Sequence, residues 1–443
     1  MSEMGHEPQE ALDATALQEQ WSSLDMATCL AAFKQLPRAA AEDFFWALNA
    51  QDQAELLLAM AAIERRGWMR LLAPDDAADV IQAAPAHEHE GLLALLDETT
   101  RHEVVALLAY AEDEAGGLMS PRFARVRPDM TVDEAVSYLR RQARERVETI
   151  YYIYVIDAQQ RLVGVLSLRE LFEAHGHLHI RDVMHAEVVT VVEQMDQEEV
   201  GLLFARYAFL AMPVVDLEGH MKGVVTVDDI VDVVQEEATE DIQKMGGTEA
   251  LDEPYLDIRF GRMLRKRAGW LSVLFLSETL TATAMGYFEE EIARAVVLAL
   301  FIPLIISSGG NSGSQASTLV IRAMALGEVR LRDWWRVIRR EFATGCALGG
   351  ILGLLGVLRI VLWPGRATTY GEHYLLIALT VACSLVGVVL WGAVTGSMLP
   401  LLLRRIGFDP ASASGPFVAT LVDVTGLVIY FSLASVILHG TLL

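Results

Sequence analysis

The sequence predicts a multidomain protein: an all-α superhelical N-terminal domain, a tandem pair of α/β modules, a connecting helix, and an α-helical membrane domain of five transmembrane helices. Three observations predict this order. The charge is unevenly divided along the chain, one α/β pattern occurs twice, and five apolar segments follow one another in the C-terminal half. The predicted parts cover residues 1–115, 119–183, 184–234, 235–266 and 267–443.

The two halves of the chain differ in charge. Residues 1–260 hold 49 acidic and 20 basic side chains, a net charge of −29, whereas residues 261–443 hold 10 and 15, a net charge of +5. An acidic soluble part therefore precedes an apolar part, which excludes a secreted disulfide scaffold, a disordered chain and a purely soluble enzyme. The three cysteines are widely spaced, which indicates a reduced compartment and neither a disulfide framework nor a zinc site.

Five segments are long and apolar enough to cross a bilayer, whose hydrocarbon core of about 30 Å needs roughly 20 helical residues. They are Ala268–Phe288, Ala293–Leu319, Phe342–Trp363, Tyr374–Leu403 and Pro416–Leu438. Basic residues cluster before the first segment, between the second and third, and between the fourth and fifth. Because basic loops stay in the cytoplasm, we expect the N-terminus inside and the C-terminus outside.

Polar residues inside the spans are candidate pore residues, since a central charge costs about 2.5–3.5 kcal/mol to insert. Asp423 lies in the fifth span, and residues 307–315 of the second span read SSGGNSGSQ. We expect Asp423 and this stretch to lie at the same depth in the membrane. We also expect the second helix to be broken or loosened along the stretch, where it would line a water-filled path. The alternative is that the small residues only allow close helix packing. The role of Glu278, in the first span, stays open.

An internal repeat occupies residues 119–171 and 184–233. Tyr154–Asp157 and Ser167–Glu170 match Pro213–Asp216 and Thr226–Asp229 at a constant offset of 59 residues. Each copy is predicted to contain two strands and then a helix, and Thr131 with Glu134 has the spacing of a capping box at an upstream helix. The spacing resembles a tandem pair of CBS modules.

In CBS modules that bind adenosine nucleotides, a Ser or Thr followed three residues later by Asp contacts phosphate and ribose. Thr226 and Asp229 fit that pattern, and Ser167 with Glu170 fits it less well. They are therefore candidate contacts for ATP or another adenosine nucleotide. The alternative is that Thr226 caps the helix that begins near Val227.

The segments around the repeat are predicted to be helical. Short amphipathic helices fill residues 11–115, and one of them starts at Pro74, followed by acids suited to a first helical turn. After the repeat, the acidic run from Gln235 to Asp241 is expected to form the connecting helix toward the membrane. It is the covalent path by which the acidic part could act on a pore.

The order of these parts resembles the MgtE family of magnesium channels and transporters over nearly the whole chain. The motifs that carry the resemblance are Glu112–Met119, Ala238–Ile242, Gly309–Gln315, Asp409–Ala411 and Pro416–Gly426. Where members of the family carry Asn or another amide, this chain has Ser314.

The resemblance implies a homodimer in the bacterial inner membrane that takes up Mg²⁺, and a cytoplasmic part that closes the pore when Mg²⁺ is plentiful. Mg²⁺ is thus expected to be both the substrate and the regulator. Membrane lipid is an expected partner, and nucleic acid is not. The implied pore residues are Asp423, Ala419 and Asn311. The sensor acids, expected between the N-terminal, CBS and connecting segments, are Asp75, Asp76, Asp79, Asp228, Asp229, Asp232, Glu236, Glu240, Asp241 and Asp409.

Two alternatives remain at this point. A transporter of another divalent cation such as Mn²⁺ or Co²⁺ could use the same carboxylate, and a membrane-anchored CBS nucleotide sensor would need its spans only as an anchor. Asp423 and the polar stretch of the second span argue against an anchor. An enzyme is not expected, since the sequence has no P-loop, no HExxH and no nucleophile motif.

Overall fold

A computed structural model describes residues 14–142, 147–251, 255–256 and 258–442 of the chain. The chain divides into two compact units, Met1–Val234 and Gln235–Leu443. The predicted sequence of a helical part, two small α/β modules and a set of long apolar helices is confirmed.

The first unit begins with short helices whose starts follow from local sequence. Asn49 and Asp97 cap α4 and α8 by accepting from the backbone N–H three residues on, and Pro74 opens α6 as predicted. The helices are α1 (Ala14–Gln20), α2 (Met26–Phe33), α3 (Arg38–Trp46), α4 (Ala50–Ala59), α5 (Ala62–Met69), α6 (Pro74–Ala83), α7 (His89–Leu93), α8 (Glu98–Leu107) and α9 (Ala115–Leu118), with a 3-10 turn at Trp21–Ser23.

The internal repeat folds as two copies of one small α/β module. The first contains β1 (Arg125–Val126), α10 (Val132–Gln142), β2 (Tyr152–Ile156), β3 (Leu162–Ser167), α11 (Leu168–Glu173) and α12 (Ile180–Val183). The second contains β4 (Val191–Val192), α13 (Gln197–Tyr207), β5 (Ala211–Val215), β6 (Met221–Thr226) and α14 (Val227–Met245).

Strand register confirms the repeat. In each sheet the first strand pairs parallel to the second, which pairs antiparallel to the third. Tyr152 lies opposite Ser167, and Ala211 lies opposite Thr226. Both residues of the second pair lie 59 positions after those of the first, so the two sheets have the same register at the offset of the sequence match. The capping box at Thr131 and Glu134 is also present, with the Thr131 N–H donating to Glu134 Oε2 at 2.8 Å.

The connecting helix ends earlier in the chain than predicted. Residues 235–266 do not form one helix, because α14 runs from Val227 in the second module to Met245 and then ends. Gly247 explains the ending, since its φ of +75° is a conformation that glycine adopts without strain. The next helix, α15 (Phe260–Tyr287), begins only at Phe260.

The second unit is made of long helices. They are α15 with the short α16 (Glu289–Arg294) and α17 (Val296–Ala299), then α18 (Ile302–Ala325), α19 (Trp334–Val361), α20 (Arg366–Tyr370), α21 (Tyr374–Arg405) and α22 (Gly415–Ile437), with 3-10 turns at Leu331–Asp333 and Pro410–Ser412. Helix α21 packs against α18, α19 and α22 and so lies at the centre of the unit.

Four of the five predicted spans are confirmed by length and composition among the described residues: Val296–Ala325, Leu331–Val361, Tyr374–Arg405 and Gly415–Ile437. The first predicted span lies within α15. At 28 residues this helix is long enough to cross a bilayer. It lacks the apolar composition of the other four, since it carries Glu278 and several hydroxyl side chains.

Candidate functional site

The predicted break in the second span is wrong, because α18 is continuous from Ile302 to Ala325. Its glycines instead bring α18 into backbone contact with α21. A Cβ placed on Gly392 would lie 2.3 Å from the carbonyl oxygen of Gly309, and one on Gly396 would lie 2.1 Å from that of Gly313. Residues 307–315 therefore serve close helix packing, the alternative weighed for this stretch.

The serines of α18 fix its neighbours by hydrogen bonds. Ser312 Oγ donates to the carbonyl oxygen of Val389 on α21, and Ser317 Oγ donates at 2.7 Å to that of Ala413 in the turn before α22. Ser314 Oγ donates at 3.0 Å to the carbonyl oxygen of Gly415, the first residue of α22. Ser314 thus holds the start of the helix that carries Asp423.

The carboxylate of Asp423 lies beside Gly310 of α18. A Cβ placed on Gly310 would lie 3.8 Å from Asp423 Oδ1 and 3.3 Å from the Cβ of Ala419, one turn earlier on α22. Asp423 and Ala419 are both partly buried. Asn311 is exposed, and its Nδ2 donates to Ser307 Oγ at 3.4 Å. The structure therefore places Asp423 and Ala419 together at Gly310, with Asn311 beside them on α18.

Glu278 is the second carboxylate of this region. It lies on α15, which packs against α22, and it is the charged group that interacts electrostatically with Asp423. Two carboxylates in one apolar helical unit repel each other and attract a cation of charge two. This neighbour of Asp423 could not be identified from spacing alone, because the two helices are far apart in the chain.

A second cluster of acids lies inside the first unit. Asp75 on α6 interacts electrostatically with Asp76, Asp229 and Glu148, and Asp76 interacts with Asp228. Ser120 Oγ lies 3.4 Å from Asp75 Oδ1 and 3.2 Å from Glu148 Oε2. Four of the predicted sensor acids are therefore brought together, with Glu148 as a member that the sequence did not indicate.

Burial raises the pKa of four acids of this cluster, Asp75, Asp76, Glu148 and Asp229. Asp75 is 8% exposed, and burial together with the charges of Glu148 and Asp76 raises its pKa well above the usual range. Burial likewise raises the pKa of Asp229 to about 7, although Thr226 donates to its carboxylate. Among the described residues, no three His, Cys, Asp or Glu side chains are close enough together to hold a metal ion. A cation that binds here would have to draw these acids closer together.

Three further predicted sensor acids lie at exposed positions. Asp79 lies exposed on α6, and Asp232 and Glu236 lie exposed on α14.

The last three predicted sensor acids surround a lysine in the second unit. Lys244 Nζ, on α14, donates to Asp409 Oδ2 at 2.6 Å and also pairs with Glu240. Burial raises the pKa of Asp241, and the charge of Asp409 raises it further. Asp409 lies in the turn between α21 and α22, so this contact joins the connecting helix to the membrane unit. Lys244 was not predicted, since a lone lysine in an acidic helix normally indicates a solvated face.

The predicted nucleotide residues bond to each other. Thr226 Oγ1 donates to Asp229 Oδ2 at 2.8 Å, and the Thr226 N–H donates to the same oxygen at 3.3 Å. Since α14 begins at Val227, this arrangement stabilises the start of a helix. The corresponding Ser167 and Glu170 form a capping box on α11.

The raised pKa values predict how stability depends on pH. In the folded state Asp75 and Asp229 hold protons more tightly than in the unfolded chain, so the folded state binds more protons between about pH 4 and pH 7. The free energy of unfolding therefore falls as pH rises through that window. We expect the first unit, without divalent cations, to unfold at a higher temperature at pH 5 than at pH 8.

Asp229→Asn should flatten this dependence, whereas Asp182→Asn, at an exposed position of α12, should not. Thermal unfolding of the full-length protein in chelator, followed at several pH values, measures both. Equal pH dependence in Asp229→Asn and wild type would show that Asp229 is not a source of it.

Fold and composition together indicate a multi-pass membrane protein whose acidic N-terminal part contains two copies of a small α/β module. Three family models match the chain. The MgtE divalent cation transporter model matches residues 302–433, the MgtE intracellular N domain model matches residues 12–113, and the CBS domain model matches residues 115–177 and 180–236. The chain belongs to the MgtE family of transporters, which are not enzymes.

Two magnesium transporters are similar to this protein over most of the chain. The magnesium transporter MgtE of Thermus thermophilus is 43% identical over 409 residues, 91% of this chain and 88% of that protein. The magnesium transporter MgtE of Bacillus subtilis is 34% identical over 83% of this chain and 79% of that one. A crystal structure of the cytosolic domain of the Mg²⁺ channel MgtE in complex with ATP is 43% identical, covers 51% of this chain and 91% of that one, and has a TM-score of 0.47.

Proposed function

We propose that this protein carries Mg²⁺ across the bacterial inner membrane, as a homodimer, and closes when cytosolic Mg²⁺ is high. The family supports Mg²⁺ transport, since relatives that match over most of the chain are magnesium transporters. The observation that carries the proposal is the half-buried carboxylate of Asp423, which lies beside Gly310 in an apolar helical unit.

The chemistry of Mg²⁺ fits such a residue. Mg²⁺ dehydrates reluctantly and is usually held by one or two carboxylates while it keeps several waters. In a homodimer two Asp423 side chains would supply that number. Such binding is weak enough for the ion to move on, as conduction requires. Ala419 leaves room for the hydration shell, and the amide of Asn311 offers a polar contact on α18.

Competing ions test the choice of Mg²⁺ over other divalent cations. Protein reconstituted in liposomes is expected to take up Mg²⁺ in the presence of equal Ca²⁺, Mn²⁺ or Co²⁺, with little loss of rate. Uptake abolished by equimolar Mn²⁺ or Co²⁺, with those ions accumulating instead, would favour the alternative of a transporter for another divalent cation.

Regulation would use the two acidic clusters. The carboxylates around Asp75 and Asp229 repel each other when no cation is bound. Glu240, Asp241 and Asp409 also repel one another, and Lys244 offsets part of that repulsion. Mg²⁺ that bridges them would favour the conformation in which they are close, and it can shift the population only because it binds that conformation better. About 1–3 kcal/mol of coupling at each cluster is in the usual range for an effector.

We further propose that ATP or another adenosine nucleotide binds the CBS pair at Thr226 and Asp229. The carboxylates of Asp75, Asp76 and Asp228 interact with Asp229 and would repel free phosphate. A divalent cation between phosphate and carboxylates removes that repulsion. We therefore expect MgATP to bind and ATP in chelator to bind at least about tenfold more weakly, a loss of about 1.4 kcal/mol.

Calorimetry on the full-length protein in detergent measures this difference. Thr226→Ala should remove the heat of MgATP binding, and Ser167→Ala, at the matching position of the first module, should retain it. Loss in Ser167→Ala alone would move the nucleotide to the other module, and no heat in wild type at millimolar MgATP would leave Thr226 as a helix cap only.

A further inference from the structure

The N-terminal end of α19 carries three arginines on one face. Arg336, Arg339 and Arg340 are spaced so that they are neighbours on the surface of the helix. All three are exposed, and 86% of the Arg336 side chain is accessible to solvent. The opposite face of α19 packs on α21, where a Cβ on Gly345 would lie 2.9 Å from the Cα of Leu390. The arginines therefore point away from the rest of the helical unit.

The same face of α19 becomes apolar further along the helix. At intervals of three and four residues after Arg340 it runs through Ala343, Ala347, Ile351, Leu354 and Leu358. Ile351 is 58% exposed and Leu354 is 61% exposed, as expected of side chains that contact lipid tails. Arg336 lies about 38 Å along the helix from Val361, more than the thickness of about 30 Å of the hydrocarbon core. The arginines thus lie at the level of the lipid headgroups, directly above the acyl chains.

Two tryptophans beside the arginines support this depth. Trp334 is 51% exposed, Trp335 is 62% exposed, and their ring centroids lie 5.6 Å apart. Tryptophan is enriched at the boundary between membrane and water. Trp335 and Arg339 are four residues apart, so the indole and the guanidinium lie on the same side of the helix.

The charge of this segment is not neutralised by its own acids. Residues 330–341 hold five arginines and two acids, Asp333 and Glu341, a net charge of +3. Asp333 pairs with Arg336 at 3.3 Å through one guanidinium nitrogen. Because a guanidinium has several N–H donors, this pair leaves Arg336 able to donate to a second group. An excess of positive charge therefore lies in the layer where lipid phosphates are found.

We propose that Arg336, Arg339, Arg340 and Trp335 bind the headgroup of an anionic phospholipid of the cytoplasmic leaflet. The planar guanidinium groups donate to phosphate oxygens, and the acyl chains lie along the apolar part of the same face, toward Leu354. The basic loops place this end of α19 in the cytoplasmic leaflet, whose surface is anionic. A zwitterionic lipid offers the same phosphate, but its choline ammonium group lies beside the arginines and is repelled.

Native mass spectrometry tests this site on the purified full-length protein in detergent, titrated with dioleoyl phosphatidylglycerol or dioleoyl phosphatidylcholine. Wild type should bind its first phosphatidylglycerol at least about tenfold more tightly than phosphatidylcholine. Joint replacement of Arg336→Gln, Arg339→Gln and Arg340→Gln should remove that preference, because each basic residue near an anionic headgroup strengthens binding. Equal affinity of wild type for the two lipids would overturn the proposal, and so would an unchanged preference in the triple variant.

A matched control removes three exposed arginines from the first CBS module. Arg127→Gln, Arg140→Gln and Arg141→Gln together change the net charge by the same amount and should keep the lipid preference. Loss of preference in this control would show that overall charge, and not the face of α19, selects the lipid.

Two further arms of the titration keep the proposal testable. The single change Arg339→Gln, which disturbs the fold least, should weaken phosphatidylglycerol binding at least about threefold, and wild-type affinity in this variant would contradict the site. Glycerol phosphate in excess over the lipid should displace little of it, since it lacks acyl chains. Complete displacement would assign the arginines to a soluble phosphate compound instead. None of these results depends on which ion the protein carries, so failure of the transport assignment is seen separately.

Discussion

Asp423→Ala is expected to reduce Mg²⁺ flux at least about tenfold while the protein stays folded. The change removes a charged contact to the hydrated ion, and such contacts contribute about 1.5–3 kcal/mol each. Asp423 is partly buried and makes no hydrogen bond to another described side chain, so the variant leaves no buried partner unpaired. Tracer uptake into proteoliposomes measures the flux, and size-exclusion chromatography in detergent checks the fold.

The matched control is Asp333→Asn. Asp333 lies in the turn before α19 and pairs with Arg336 at 3.3 Å, outside the glycine contact of α18. It should retain wild-type flux. Asp423→Glu, which keeps the charge but lengthens the side chain, should fall between wild type and alanine. Wild-type flux in a folded, correctly inserted Asp423→Ala protein would remove Asp423 from the ion path.

Gly396→Ala is expected to have the largest effect on stability among single methyl additions to the membrane unit. Its new Cβ would lie 2.1 Å from the carbonyl oxygen of Gly313, which is a backbone atom and cannot rotate away. Helices α18 and α21 must then move apart, at a cost of about 3 kcal/mol or more. Thermal unfolding in detergent should show a Tm lower by about 10 °C, from about 2–4 °C per kcal/mol at this size.

Gly350→Ala provides the control, because a Cβ at this position of α19 meets nothing within 4 Å. It should unfold at the wild-type temperature or slightly higher, since alanine favours a helix over glycine. Equal Tm values for the two variants would mean that the α18–α21 backbone contact does not determine the stability of this unit.

The sequence predicted most of the fold because its strongest patterns are repetitive. A constant offset of 59 residues gave the two modules and even their strand register, as the pairs at Tyr152 and Ala211 show. The prediction of a break at the glycine stretch of α18 was wrong, since glycine and serine favour a broken helix only where nothing packs on them. Here α21 covers Gly309 and Gly313, and Ser308 Oγ bonds back to the carbonyl oxygen of Leu304 within the same helix.

The candidate sites were predicted less completely, because their members come from distant parts of the chain. Asp75 and Asp229 were indicated as acids near helix starts, but Glu148 belongs to an irregular segment with no periodic signal. Lys244 looked like one basic residue on an acidic helix, and only the turn at Asp409 gives it a role. The signal available in the sequence was Asp409. A carboxylate on a turn beside an apolar helix indicates a partner of opposite charge.

Mg²⁺ flux through the reconstituted protein, measured as a function of Mg²⁺ on the side of the acidic N-terminal part, tests the central claim most directly. The account predicts flux well above that of empty liposomes when this Mg²⁺ is chelated, and a fall of at least about tenfold as it rises into the millimolar range. Flux equal to that of empty liposomes at every concentration would contradict transport, and flux that ignores Mg²⁺ on that side would contradict its regulation.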